Sequence, residues 1–278
     1  MPKSNIALSA EDTVGALLRY WRRARRLSQL DLATEANISS RHLCFIETGR
    51  SSPSREMVLL LSRVLDLPLR ERNTLLLAAG FAPLYQETPL EAPELAAIRG
   101  AIDAIIRQQE PFPAIVMNRY WDILRTNDAA NHFMSFLLGD RVPAGPSNIL
   151  RMFFDLDMMR PFVANWDAVA EALVQRVHRE CVGGVPDERT RALLAELLAY
   201  PGVPETLYNA NPGTPLIPIL PVSFVKGDQQ FNFFSAVTTL GTPQDITAQE
   251  IRIETFFPAD VATEAATRRL ISESSPAE

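Results

Sequence analysis

Cysteine is nearly absent from this chain: two thiols in 278 residues, Cys44 and Cys181, lie far apart and cannot build a disulfide framework. That fits a reducing, cytoplasmic setting. Histidine is as scarce, and His42, His132 and His178 share no ligand spacing with the cysteines, so no metal site is indicated. No apolar run near the start marks a signal peptide, and none approaches the length of a membrane span, so no membrane partner is expected. The signs of catalysis are missing too: no nucleophile beside a base, no metal cluster, no glycine loop to cradle phosphate. Glu47, Glu254 and Asp260 stand as lone carboxylates, no cofactor is expected, and an enzyme is the disfavoured class.

What is present is enough chain for two domains, each able to bury a core. The formal charge of −6 speaks against a nucleic-acid partner, but its distribution reverses that. Residues 1–80 hold 12 Lys and Arg against 8 Asp and Glu, while the remainder holds 15 against 25.

The basic part contains SQLDLATEANISSRHLCFIETGR, Ser28 to Arg50, whose pattern predicts two helices joined by a tight turn. Gln29–Ala36 has helix-forming composition, with Leu30 and Ala33 expected on its inward stripe. Asn37 tolerates a left-handed backbone at the corner, Ile38 plugs it, and Ser39 caps the next helix. Leu43 and Ile46 face inward before Thr48-Gly49 ends that helix, which leaves Ser40, Arg41 and Cys44 outward. A major groove admits one helix, and an arginine or short donors near its start can reach base edges. Arg41 is therefore the candidate base reader, Gln29 a phosphate contact that braces it, and Ser39, Ser40, Cys44 and Arg50 complete the face.

Around this unit, Leu17, Leu18, Trp21 and Ala24 recur at helical spacing, and Arg19, Arg22, Arg23, Arg25 and Arg26 are expected on the other faces. Ser52-Pro53-Ser54 opens a fourth helix and Pro68 stops it; a fifth runs from about Leu69 to Ala79 and ends at Gly80. Met1–Asp12 reads as a loose terminus. Residues 82–93, with Pro83, Pro89 and Pro93, read as a linker between a first domain, 1–81, and a second, 94–278.

The second domain starts with a helix to about Gln109 and two β-prone runs, Ala114–Met117 and Trp121–Thr126. Helices follow from Asp128 to Tyr200, broken at Gly183-Gly184. Strands are then expected at about Ile219–Val225, Phe231–Leu240 and Ile251–Phe257, with Lys226-Gly227-Asp228 as a hairpin signal. This describes an α+β domain of PAS-like order, its sheet covered on one face.

Residues 13 to 85 resemble the DNA-binding domain of XRE-type, lambda-repressor-like bacterial regulators. RHLCFIETGRSSPSREMVLLLSRVLDLPLRERNTLLLAAGFAPLY, Arg41 to Tyr85, is similar to the MmyB-like group, with Cys44 where that group usually has serine. The likeness continues in PFPAIVMNRYWDILRTNDAA (Pro111–Ala130), NILR (Asn148–Arg151), RPFVANW (Arg160–Trp166) and FFSAVTTLGTPQDITAQEIRIETFFPAD (Phe233–Asp260). It implies an all-α helix-turn-helix reader joined to a domain that holds a small molecule, fatty acid among them.

Large apolar residues abound in the second domain, and burial in the core accounts for them without a ligand. A cavity between sheet and helices would be lined by the same set: Phe133, Phe136, Phe153, Phe154, Phe162, Trp166, Phe224, Phe233 and Phe256. Arg160 and Asn165 flank a turn that could aim a guanidinium and an amide at a carboxylate. Together these readings point to a ligand-responsive transcription regulator that binds double-stranded operator DNA as a homodimer. The alternative keeps the reader and makes the second domain a dimerisation or protein-interaction module without ligand.

Overall fold

Thr13, Ser28, Ser39 and Ser54 begin helices for one reason: each hydroxyl accepts a first-turn N–H that has no partner within its helix. They start α1 (Val14–Ala24), α2 (Gln29–Glu35), α3 (Ser40–Glu47) and α4 (Arg55–Val64), while α5 (Leu69–Ala78) begins behind Pro68 without a side-chain cap. The computed structural model describes residues 13–182, 187–203 and 221–274. They divide into two units, and the first comprises the chain through Thr88 together with Pro243–Gln249.

In the first unit Leu18, Trp21, Leu32, Leu43, Ile46 and Leu61 are fully enclosed, so burial of their apolar surface supplies the main drive for folding. Leu30 was expected inward and is instead 65% exposed. Two residues along a helix turn the side chain by roughly 200°. Once Leu32 and Ala33 face the core, Leu30 must face solvent. Ala24 is likewise exposed, and Arg22, expected outside, is buried because it shares the face of Leu18, four residues earlier. Asn37 has φ 52° and Gly80 φ 83°, the left-handed corners expected there. From the stretch 82–93, Leu84 and Tyr85 give their N–H groups to Asn73 Oδ1 within the first unit, while Leu90 is buried in the second.

The second unit runs α6 (Ala96–Gln108), β1 (Ala114–Met117), β2 (Ile123–Thr126), α7 (Asp128–Leu138), α8 (Ile149–Phe154), α9 (Trp166–Val182) and α10 (Glu188–Ala199). It continues with β3 (Val222–Lys226), β4 (Gln229–Thr238), β5 (Arg252–Pro258) and α12 (Val261–Ser274), while α11 (Ile246–Glu250), between β4 and β5 in sequence, belongs to the first unit through Gln249. The five strands form one antiparallel sheet in the order β2-β1-β5-β4-β3, consistent with the PAS-like arrangement. The β3–β4 hairpin turns at Gly227, φ 63°. β2 starts later than its residue types suggest: Trp121 has φ 67° and belongs to a turn in which Asn118 Oδ1 accepts from the N–H groups of Tyr120 and Asp122.

Alternation along β1 decides how the sheet is covered. Ile115 and Met117 join Phe133, Phe224 and Phe233 in one core, whereas Ala114 and Val116 join Ile102, Ile106 and Ile253 in another. The expected single covered face is therefore corrected: β1 is buried on both sides, with α6 and Ile253 of β5 on the second. Glu254 and Asp260 are not lone groups either. Ser235 Oγ donates to Glu254 at 2.6 Å, and Asp260 accepts from Thr263 N–H at 2.7 Å and Asn232 Nδ2 at 2.9 Å. The readings for Met1–Asp12, Gly183-Gly184 and the first residues of the Ile219–Val225 strand lie outside the described residues.

Candidate DNA-reading face and ligand cavity

The α2–α3 corner is closed by backbone bonds from Asn37 N–H to Thr34 O and Ile38 N–H to Ala33 O, at 3.1 and 2.9 Å. Ser39 Oγ then accepts from His42 N–H at 3.2 Å, which aims α3. With Leu43 and Ile46 fully buried, Ser40 and Arg41 are exposed and Cys44 is half-buried. The Arg41 guanidinium lies 5.4 Å from the Phe45 ring centroid and has no ion-pair partner among the described residues. It lies over an aromatic face and is exposed to solvent. Arg50, past the left-handed Gly49, is exposed beside it.

Behind this face lies a charge pair with no local sequence signal. Glu47, at the end of α3, accepts from Arg22 Nε and Nη2 at 2.6 and 2.8 Å and from Gln29 Nε2 at 2.8 Å. Arg19 Nη2 also donates to the Glu47 backbone oxygen at 2.6 Å. One carboxylate thus ties α1 and α2 to the far end of the reading helix. Burial opposes its charge, but the Arg22 and Gln29 hydrogen bonds and the nearby arginines outweigh that and hold its pKa below the ordinary carboxylate value. The same pairing raises Arg22. Gln29, expected to hold a phosphate and brace Arg41, donates its amide to Glu47 at the other end of α3. Gly15 permits the close approach, since a Cβ there would sit 2.6 Å from Ile46 O and 2.9 Å from Glu47 O.

In the second unit a cavity of about 30 Å³ lies between the sheet and the helices. Phe224, Phe233, Phe256 and Ile115 line it from the strands, and Phe133, Met134, Phe153 and Ile149 from α7 and α8, with Pro113, Ala130 and Met159 closing it. Every lining side chain is apolar. Phe133 is its hub, meeting Phe224, Phe231 and Phe233 edge to face at centroid distances of 5.2, 5.3 and 5.4 Å. The space holds little more than one or two water-sized bodies, and an apolar void of that kind stays dry.

Of the residues read as cavity lining, Phe133, Phe153, Phe224, Phe233 and Phe256 meet at this cavity. Phe136, Phe154, Phe162 and Trp166 pack around the same core without lining it. The carboxylate anchor expected from Arg160 and Asn165 is not assembled, because both are engaged elsewhere. Arg160 Nη1 donates to Pro201 O and its guanidinium stacks on Trp166 at 4.5 Å; left-handed Gly202 makes room for it. Asn165 accepts from Ser223 N–H at 3.0 Å and donates to Pro221 O at 2.7 Å, a clamp on the start of β3. The sequence reading missed Ile115, Met134, Ile149 and Met159. Alternation of β1 would have pointed to Ile115; for the two methionines there was no local cue.

Comparison with known families agrees with both regions. Residues 18–72 match the helix-turn-helix family model, and residues 98–270 match the model for the MmyB-like transcription regulator ligand binding domain. No curated protein matches the chain. No described helix is long and apolar enough to cross a membrane.

Proposed function

Because the chain belongs to the MmyB-like transcription regulators, we propose that it reads operator DNA through α3 and responds to a small apolar ligand, a fatty acid being the leading candidate. The family establishes the broader role: a DNA-binding transcription regulator with a ligand-binding C-terminal domain. One observation carries the finer reading, the wholly apolar lining of the cavity around Phe133, Phe233 and Met159. An acyl chain suits that surface, but it must push side chains aside to enter. Met134 and Met159 are the unbranched, adaptable members of the wall and the ones to yield. On the reading side Arg41 addresses a base, Ser39, Ser40 and Cys44 face the groove wall, and Gln29 and Arg50 hold phosphate. One reader offers few base contacts, so two copies act together on a near-palindrome, in the cytoplasm.

Organic extraction of the purified chain followed by mass spectrometry tests the ligand half, with calorimetric titration of dodecanoate and its methyl ester alongside. The two should bind alike, because no charged side chain lines the cavity. Failure of both, with no co-purified lipid, rejects the ligand and favours a second reading that the small cavity itself supports: a well-packed dimerisation or interaction module. For the DNA half, selection from a random duplex pool at low salt should enrich one motif. An unenriched pool overturns it.

A further inference from the structure

Pro243–Gln249 lies in sequence between β4 and β5 of the second unit yet folds as part of the first. The start of α5 shows what it does there. Pro68 provides no side-chain cap, so the first-turn N–H groups of α5 need an acceptor from elsewhere. Gln249 Oε1 supplies one, accepting from Leu69 N–H at 2.6 Å across 180 residues of sequence. Asp245 Oδ2 accepts from Thr88 N–H at 3.1 Å, and Ile246 N–H donates to Gln86 O at 2.8 Å. Asp245 Oδ1 also accepts from Thr247 N–H at 2.8 Å, which stiffens the segment itself, and Ile246 and Ala248 are buried.

The strands on either side of this segment are two walls of the cavity. Phe233 belongs to β4 and Phe256 to β5, and their rings meet edge to face at 6.4 Å. β5 begins at Arg252, three residues past Gln249, with Ile251 and Ile253 buried, so little slack separates the wall from the cap. Glu250, next to Gln249, is held by Arg119 at 3.0 Å in the β1–β2 turn. α5 in turn packs on α1, whose Gly15 and Arg22 support the reading helix.

We propose that Pro243–Gln249 couples the cavity to the reader, with Gln249 as a positioning residue for DNA binding: a ligand that parts Phe233 and Phe256 draws Gln249 away from Leu69 and loosens α5. The proposal rests on the ligand reading above. A ligand shifts DNA affinity only by its differential affinity for the two arrangements, so the cap is the element whose making and breaking distinguishes them.

The full chain and a duplex selected from a random pool provide the test, with dodecanoate as probe. Dodecanoate should weaken DNA binding of the natural chain at least about fivefold, the low end of ordinary coupling. In Gln249→Ala that factor should fall to near one, and in Gln249→Glu, which keeps an acceptor, it should survive. Equal factors in the natural chain and Gln249→Ala overturn the coupling while leaving the ligand reading intact. Absence of dodecanoate binding by calorimetry overturns both. An arm without ligand keeps the two separable: Phe256→Leu should speed hydrogen exchange at the Leu69 amide in the natural background and add nothing in Gln249→Ala. The same acceleration in both backgrounds also sinks the proposal, and Asp245→Ala should reproduce the Gln249→Ala result.

Discussion

On α3 the polar groups of Ser40 and Arg41 face solvent over a floor of Leu43 and Ile46, whereas in the second unit Phe133 and Phe233 turn away from solvent around a void of about 30 Å³. The reading face is built from rigid supports. Glu47 binds Arg22 and Gln29 behind it, and Gly15 lets α1 touch the backbone of α3, so the helix that carries Ser40 and Arg41 is braced. The cavity is closed instead by rings and two methionines, which can repack. A reader gains from preorganisation, because ordering side chains on binding costs free energy. A receptor for a bulky apolar guest needs a wall that gives way.

Removing the reader's support should have the largest effect. Glu47→Ala leaves Arg22 buried without its counter-charge and should cost about 3–5 kcal/mol. Hydrogen exchange in the full chain should then quicken across α1–α3, with the protected amides of β5 little changed. Replacing the pair together, Arg22→Met with Glu47→Leu, should recover most of that stability. A harmless single substitution would end the contrast between a rigid reader and a yielding receptor.

In the second unit Met134→Ala should cost about 2–5 kcal/mol, near the low end because the site already holds a void. It should also tighten binding of methyl dodecanoate in calorimetry; weaker binding would mean the cavity is not the receptor. Next in size, Gly15→Ala presses a Cβ into backbone oxygens, an overpacking cost of about 1–3 kcal/mol, and should weaken binding to every duplex alike. Arg41→Ala should lose about 1–3 kcal/mol on the selected duplex only and relax preference at one base pair. Arg50→Ala should lower affinity for all sequences and flatten the salt slope by about one.

The smallest effect is on pH dependence. Since the folded pKa of Glu47 lies below its ordinary value, its contribution is complete above the ordinary carboxylate pKa and drains away as the pH falls through the lowered one. Glu47→Gln should therefore flatten the acid limb of first-unit stability, measured by urea unfolding between neutral pH and acid. An unchanged limb would show that other groups set it.

Features carried by short stretches were legible in advance. Ser39 as cap, Asn37 at the corner, the inward Leu43 and Ile46 and the turn at Gly227 each depend on a few adjacent residues and on backbone sterics. The errors share a different cause. Spacing alone puts Leu30 inward, while the phase of α2 is set by what Leu32 and Ala33 pack against. Local sequence puts Arg22 on the surface because its partner lies 25 residues away, and makes Arg160 an anchor because the Pro201–Gly202 seat it occupies lies some 40 residues on.

From its amino acids alone this chain had a helical first part, an α+β second part and the exposed position of Ser40 and Arg41 on α3 determined, because periodicity, capping and turn chemistry act over a few residues; the helices Ile246–Glu250 and Val261–Ser274 went unread. Only tertiary structure decided that Glu47 clamps three helices, that the cavity excludes Arg160 and Asn165, and that Gln249 caps a helix 180 residues earlier. Those are meetings between distant groups. Each depends on where packed elements place a side chain in space, and a hydrogen bond forms only where donor and acceptor come within about 3 Å.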